Sequence, residues 1–595
     1  MSKIKNNIKI QWDLSLLYKS VDDPQIEKDI VKAEKAYRAF AKKYTKRTDY
    51  LKNENVLVDA LKDYKKLSDQ AVSKPYYYLY YRQDLNSKDE KVRAKMNLFS
   101  QRLQKLGNVV AFFSINLSKI SGATQKKFLF SKKLIDYKYM LEKTFEGGKY
   151  TLSESEEKIL SLKSLPAHSL WVKAVEKLEG KLVVEHKGKK LGVNEANSLI
   201  KELPTQKERA ELNKKVMEKF YEISEMAESE LNAIITDKKI EDELRGFKEP
   251  FDATLLSYEN DRETILSLVK VVTSSFPAVH KFFSIKAKML NLKNLNYSDR
   301  SASVGKTKKK MSFSESYKIL LNLFTSVDKR FGQILKRFVE NGQIDVYPKI
   351  GKTGGAYSSP AHNLPTFVLL NHIDSLESLN TFTHEMGHAI RSEFSKSQSV
   401  FYEHYSMCAA ETASTLFELF LFYSQFENLS EEEKIIALHN KIQDDVSTIF
   451  RQIAFFNFEL EMHQTIREKG NMTKEELAQS MDKHMQSYMG KNVKMGEKDG
   501  YFFVAISHIR RFFYVYAYAF GKLASKALYK KYSEDKTYIE KIKKFLSAGG
   551  SMSPEDVFKS IGVDVKKPDF WKLGMKSIKE DIGLLEKLVN QKKKR

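Results

Sequence analysis

The scarcity of helix breakers limits this chain more than any other feature. Proline occurs 11 times and glycine 25 times in 595 residues, and proline is the residue that most strongly ends a helix. Long stretches also carry apolar residues three and four apart, as in IEKDIVKAEKAYRAFAKKY, which is the spacing of one helical face. The pattern predicts a mainly α protein, helical over 25 to about 175, again over 196 to about 345, and from 412 to the end. Breaks fall near 470, 490–500 and 546–553. The tyrosines of PYYYLYYRQDL, at 75–85, recur at helical spacing and read as core. Two extended pieces around Gly188 predict a small hairpin.

Hydrophobic residues make up 42% of the chain and charged residues 30%, enough for a large core beneath solvated outer faces. The formal charge of +24 comes from lysines spread along the whole length. That spread reads as a solvated surface rather than a nucleic-acid or membrane patch. The single cysteine, Cys408, allows no intrachain disulfide and suits a reducing compartment such as the cytoplasm. It reads as small core filler. No secretory signal is visible at the N-terminus. The most apolar stretch, FFVAISHIRRFFYVYAYAFG, holds His508, Arg510 and Arg511, so it is expected to be a buried helix and not a membrane span. The Gly-Lys-Thr of SVGKTKKKMSF lacks the earlier glycine of a phosphate loop and is rejected as a nucleotide site. The terminal lysines read as a frayed tail.

At 351–374 the texture changes to GKTGGAYSSPAHNLPTFVLLNHID, a loop followed by a strand. A strand edge in this place offers unpaired backbone groups to an extended peptide. Directly after it comes TFTHEMGHAI, which contains His384-Glu385-Met386-Gly387-His388. Residues four apart share one helix face, so the two imidazoles can grip one metal ion while Glu385 reaches a water on it. This is the arithmetic of two Zn²⁺ ligands with a general base. With 12 histidines in the chain, a chance match is improbable, roughly a few per cent for this pattern.

A catalytic zinc needs a third protein ligand. The pattern H-E-x-x-H-x-x-G-x-x-H fails, because Arg391 and Phe394 stand at its Gly and His positions. Glu411, in SMCAAETASTLFELF, lies among small and apolar residues where an unpaired carboxylate is costly. Glu403 and His404 are rival ligands. Glu418, on the same helix face as Glu411, is placed either to orient a zinc ligand or to form a solvated or core ion pair.

The segments GKTGGAYSSP, FVLLNHIDSLESLNTFTHEMGHAIRSEFS and AAETASTLFE resemble the oligoendopeptidase F branch of the M3, thimet-type, metallopeptidases. The resemblance implies one Zn²⁺ per chain held by His384, His388 and Glu411, with Glu385 as catalytic base and Glu418 behind a ligand. It implies an elongated, almost wholly helical body with a deep substrate channel and a small β element beside the H-E-x-x-H helix. Residues 1–195 would form an N-terminal helical lobe and 196–595 the catalytic domain. The later run from Gly500 through His508 to Tyr518 is similar to the family's C-terminal H…FYVYxYA helix. By that likeness His508 and Tyr514 stabilise the oxyanion, with Tyr501 and Tyr516 as weaker substrate contacts and Gly355, Ala356 and Tyr357 along the bound peptide. Arg510 and Arg511 depart from the expected pattern. The function so implied is zinc-dependent cleavage of internal bonds in short, unfolded peptides by a monomer or weak oligomer, with no nucleic-acid or membrane partner. The alternatives are a helical H-E-x-x-H carboxypeptidase and a basic, non-catalytic scaffold or nucleic-acid-binding protein.

Overall fold

The computed structural model describes residues 8–69, 73–305, 310–403 and 405–594. The chain is mainly α-helical with a few short strands, as the scarcity of breakers predicts. It forms two compact units, each assembled from separate chain segments.

The first unit comprises residues 1–150, 309–424 and 535–561. Its N-terminal helices begin where the sequence supplies a cap. Asp23 accepts the Gln25 N–H ahead of Pro24–Tyr44, with proline in the first turn, and Asp89 accepts the Val92 N–H ahead of Glu90–Ser118. Such caps satisfy donors the helix itself leaves open. Two aromatic-rich cores form here. One gathers Phe40, Tyr44, Tyr50, Phe113 and Phe128. The other joins Trp12, Tyr78, Leu79 and Tyr81 to Phe367 and Leu369. The tyrosine run at 75–85 therefore supplies core, as expected.

A three-stranded sheet in this unit has Phe367–Leu369 at its centre. Ile344–Asp345 pairs parallel to it and Tyr357–Ser359 antiparallel. The strand immediately before the motif helix is thus the buried central one, and the edge is the earlier Tyr-Ser-Ser. Val368 donates to Gln343, on the far side of the sheet. Backbone groups alternate along a strand, so Leu369 and Phe367 bond to Tyr357 and Ser359, and the N–H and C=O of Ser358 point to the outer edge. The side chains of Tyr357 and Ser359 lie on the Tyr81 side, where the Tyr81 hydroxyl donates to the Ser359 carbonyl at 3.2 Å.

The second unit comprises residues 151–308, 425–534 and 562–595. The expected hairpin is there: Val183–His186 pairs antiparallel with Lys189–Gly192, turning through Lys187 and Gly188 at φ 49° and 77°, as a two-residue hairpin loop requires. The segment 499–518 departs from expectation. It is two short 3₁₀ turns, Asp499–Ala505 and Ser507–Arg511, and the α-helix begins only at Tyr516. No helix among the described residues is long and apolar enough to cross a membrane. Residues 306–309, the Lys-Thr-Lys-Lys of the rejected phosphate loop, lie outside the described residues.

Candidate active site

The motif sits on the helix Leu376–Ser395, capped by the Ser375 side chain on the Ser378 N–H. One face, including Leu379, Phe382, Met386, Ile390 and Phe394, is buried, which fixes the rotation of the helix and turns His384 and His388 to the opposite side. The next helix, Met407–Phe426, carries Glu411, Ser414 and Glu418 on one face. The two helices meet closely at Gly387, where a Cβ would come 2.7 Å from the Ser414 Cα. This close approach brings Glu411 and Glu418 up to the histidines on either side of Ser414.

Ligand atoms of His384, His388 and Glu411 lie within 4.8 Å of one another. The two Nε2 atoms are 3.2 Å apart. His384 Nε2 is 3.8 Å from Glu411 Oε2 and His388 Nε2 is 4.0 Å from Glu411 Oε1. A tetrahedral zinc with bonds of about 2.1 Å separates its ligands by about 3.4 Å, so two imidazoles and a carboxylate at these distances fit the ion. His384 Nδ1 is 2.6 Å from Glu418 Oε1. That bond places the proton on Nδ1 and leaves the Nε2 lone pair for a metal, the usual arrangement behind a ligating histidine. Of the rival ligands, Glu403 falls outside this cluster and lines a small cavity with Ser392 and Tyr405, while His404 lies outside the described residues.

The site is electrostatically divided. Burial alone lowers the His384 pKa, but the Glu418 hydrogen bond and charge offset it and leave the ring above its ordinary value. Burial, then the charges of His384 and Arg391, push His388 down to about 3. Glu385 is raised to about 7, mainly by burial; the charge of His384 opposes this, Glu411 adds to it, and the Ser358 backbone N–H has a smaller opposing effect. The motif helix itself packs against the edge strand Tyr357–Ser359. Arg391, one turn past His388, is fully buried, its guanidinium 3.8 Å from the Tyr405 ring centre. Cys408 is buried, as expected of core filler.

In the second unit His508 lies on the 3₁₀ turn rather than on the α-helix, and its Nδ1 pairs with the Tyr514 hydroxyl. Burial lowers the His508 pKa, helped by Arg451 and Arg511. Tyr501 is buried with its ring edge-on to Tyr221, 4.9 Å between centres. Tyr516 departs from expectation: it is 0% exposed, and its hydroxyl donates to Asn260 at 3.0 Å. Starting the α-helix at Tyr516 turns this ring into the core. Gly355 and Ala356 lead into the edge strand, with the Gly355 carbonyl held by Asn371. Sequence reasoning missed the role of Gly387, although a glycine between two metal-spaced histidines was itself a signal of close packing.

A helical chain in which an H-E-x-x-H helix and a downstream glutamate converge has the site of a metallopeptidase. The model of Peptidase family M3 matches residues 199–577 and that of Oligopeptidase F matches 116–176; the chain belongs to peptidase family M3. It is 27% identical over 570 residues to the oligoendopeptidase F homolog of Borreliella burgdorferi, covering 94% of each chain. It is 25% identical over 609 residues to that of Lactococcus lactis subsp. lactis, covering 99% of each. Among solved structures, a Chlamydophila abortus protein superposes with a TM-score of 0.86 at 23% identity, covering 97% of this chain and 98% of that one. Oligoendopeptidase-F from Enterococcus faecium superposes at 0.67 and 19%, covering 95% and 98%.

Proposed function

We propose that the protein is a zinc-dependent endopeptidase that hydrolyses internal bonds of short oligopeptides, as the names of its relatives suggest. The observation that carries this reading is the convergence of His384, His388 and Glu411 at a helix that carries Glu385 beside His384 and packs against the edge strand Tyr357–Ser359. A peptide lying along Tyr357–Ser359, after Gly355 and Ala356, pairs with the outward N–H and C=O of Ser358 and brings a backbone carbonyl beside the donor set. Zn²⁺, when bound by His384, His388 and Glu411, supplies Lewis acidity to that carbonyl and acidifies water. Glu385 accepts the proton of the attacking water and returns it to the leaving amine. Glu418 holds His384 in the tautomer that leaves Nε2 free. His508 and Tyr514 supply the oxyanion donor: a proton on His508 Nδ1 donated to the Tyr514 oxygen leaves the phenol proton for the substrate. We further assign the chemistry to residues 196–595, with 1–195 as an accessory helical lobe, and the working compartment to the cytoplasm.

The test is hydrolysis of an internally quenched peptide blocked at both ends, by wild type, by Glu385→Gln and by chelator-treated protein. The expected result is cleavage by wild type alone, with Glu385→Gln retaining zinc and losing on the order of 10³-fold in rate. Full activity of Glu385→Gln refutes the mechanism. Trimming of free C-termini with the blocked peptide left intact shows a carboxypeptidase instead.

A further inference from the structure

The segment joining His508 to Tyr514 is held in a conformation that its own side chains resist. Phe512 and Phe513 are consecutive at φ 50° and 59°, in the left-handed region where Cβ crowds the following carbonyl. Neither is a residue that adopts this region readily. Such backbone persists only where the surroundings over-determine it, and here they do. The Phe513 N–H donates to Glu459 Oε1 at 2.7 Å. The Thr254 hydroxyl donates to the Phe512 carbonyl at 2.9 Å. Both phenyl rings lie against His463, at 5.4 and 4.8 Å between centres.

The N-terminal side of the turn is held as firmly. Arg510 is buried and makes a two-pronged bond to the buried Glu230, Nε to Oε1 at 2.7 Å and Nη2 to Oε2 at 2.6 Å. Its Nη1 donates to the Ile506 carbonyl at 2.8 Å, and His168 Nε2 lies 2.9 Å from the Arg510 carbonyl. The arginine that departs from the family pattern is therefore an internal strut. Glu459 is an expensive residue to keep: it is 0% exposed, and its Oε2 has no hydrogen-bond partner among the described residues. Burying a carboxyl group only to satisfy one N–H is a poor exchange for stability alone.

We propose that Glu459, Thr254 and the Arg510–Glu230 pair are positioning residues for the reaction: they fix the strained Phe512–Phe513 turn, and the turn sets the contact of His508 with Tyr514 and the aim of the Tyr514 hydroxyl. This rests on the assignment of Tyr514 to the oxyanion made above. A merely structural role predicts lost stability with kcat unmoved, or a kcat effect independent of Tyr514. A positioning role predicts an effect on kcat that requires the Tyr514 hydroxyl.

The experiment measures kcat, KM and thermal stability of the zinc-loaded full chain on the doubly blocked peptide, for Glu459→Leu, Glu459→Gln and Thr254→Val, each alone and combined with Tyr514→Phe. Glu459→Leu removes the acceptor and is expected to lower kcat about tenfold with KM within about twofold, and Thr254→Val to lower it about threefold. Glu459→Gln keeps a carbonyl for the Phe513 N–H and is expected to restore kcat to within about twofold of wild type. In the Tyr514→Phe background neither Glu459→Leu nor Thr254→Val lowers kcat further. Wild-type kcat in Glu459→Leu and Thr254→Val, or losses that multiply with that of Tyr514→Phe, overturns the positioning role while leaving Tyr514 in place. Wild-type kcat in Tyr514→Phe itself overturns the oxyanion assignment and this inference with it. Should Glu459→Leu fail to fold, Thr254→Val, which deletes one hydroxyl, decides the question by the same comparison.

Discussion

Gly387→Ala is the substitution whose consequence follows most directly from the packing. A methyl at 387 comes 2.7 Å from the Ser414 Cα and 3.2 and 3.3 Å from the Phe417 ring and Cβ. Carbon atoms pack at about 3.5–4.0 Å, and the nearest is backbone that no rotamer change can move. The two helices must therefore part by about 1 Å. Ser414 lies between Glu411 and Glu418, so both carboxylates move with it. The His384–Glu418 bond of 2.6 Å then stretches to about 3.6 Å, beyond hydrogen-bond range. Loss of such a support weakens metal binding about 10–100-fold. Alanine is the better helix former by about 1 kcal/mol, whereas overpacking costs about 1–3 kcal/mol. The net loss of stability is then about 0–2 kcal/mol, small beside the change in zinc affinity. Competition with a chelator measures the affinity and denaturant unfolding the stability. Gly107→Ala is the control: it sits in the helix Glu90–Ser118 with nothing within 4 Å of the new methyl, and should gain about 1 kcal/mol with zinc affinity unchanged. If Gly387→Ala binds zinc as tightly as wild type, the reasoning that close helix contact sets the ligand geometry is wrong.

Three further outcomes are expected. Glu418→Ala frees His384 Nδ1 and should weaken zinc binding about 10–100-fold in the same competition assay; unchanged affinity would remove Glu418 from the site. Tyr516→Phe deletes a buried hydroxyl bonded to Asn260 and should cost about 1 kcal/mol of stability with no change in kcat, whereas a fall in kcat would return Tyr516 to the substrate. Asp482 is raised from 3.8 to about 7 in the folded protein, by burial first and the Asp499 charge second. The folded state keeps this proton up to about pH 7 while the unfolded chain releases it near 3.8, so the group's contribution to stability falls as pH rises from about 4 to about 7 and stays low above. Asp482→Asn should therefore match wild type at pH 4 and melt higher at pH 8; equal melting temperatures at both pH values contradict this.

What the sequence reveals about the site divides by the range of the forces involved. The imidazole pair follows from helical periodicity, which acts over four residues, and so does the alignment of Glu411 with Glu418. The choice of Glu411 over Glu403 does not, because it depends on how near two helices approach, and that is set by Gly387 meeting Ser414. The sheet shows a similar split. Its apolar run is legible as a strand, but that run, Phe367–Leu369, takes the protected centre, leaving the polar Tyr357–Ser359 as the edge. A buried strand needs apolar residues on both faces, so the residues that most look like strand are the ones least available to a peptide.

The segment from 499 to 518 is where local reasoning fails, for a reason that can be named. Its aromatic residues recur at helical spacing, and nothing nearby signals a turn, since glycine and asparagine are absent from Phe512 and its neighbours. The left-handed turn is imposed from a distance, by Glu459 at 54 residues, Thr254 at 258 and the Glu230–Arg510 pair at 280. Of these partners, Glu230, Glu459 and Arg510 are ionisable and buried. A polar residue that a helix buries needs a partner, and when none lies one turn away the partner must come from elsewhere in the fold. Glu230, Glu459 and Arg510 therefore mark where a distant contact bends the backbone against its local preference. In this protein that bend falls between His508 and Tyr514.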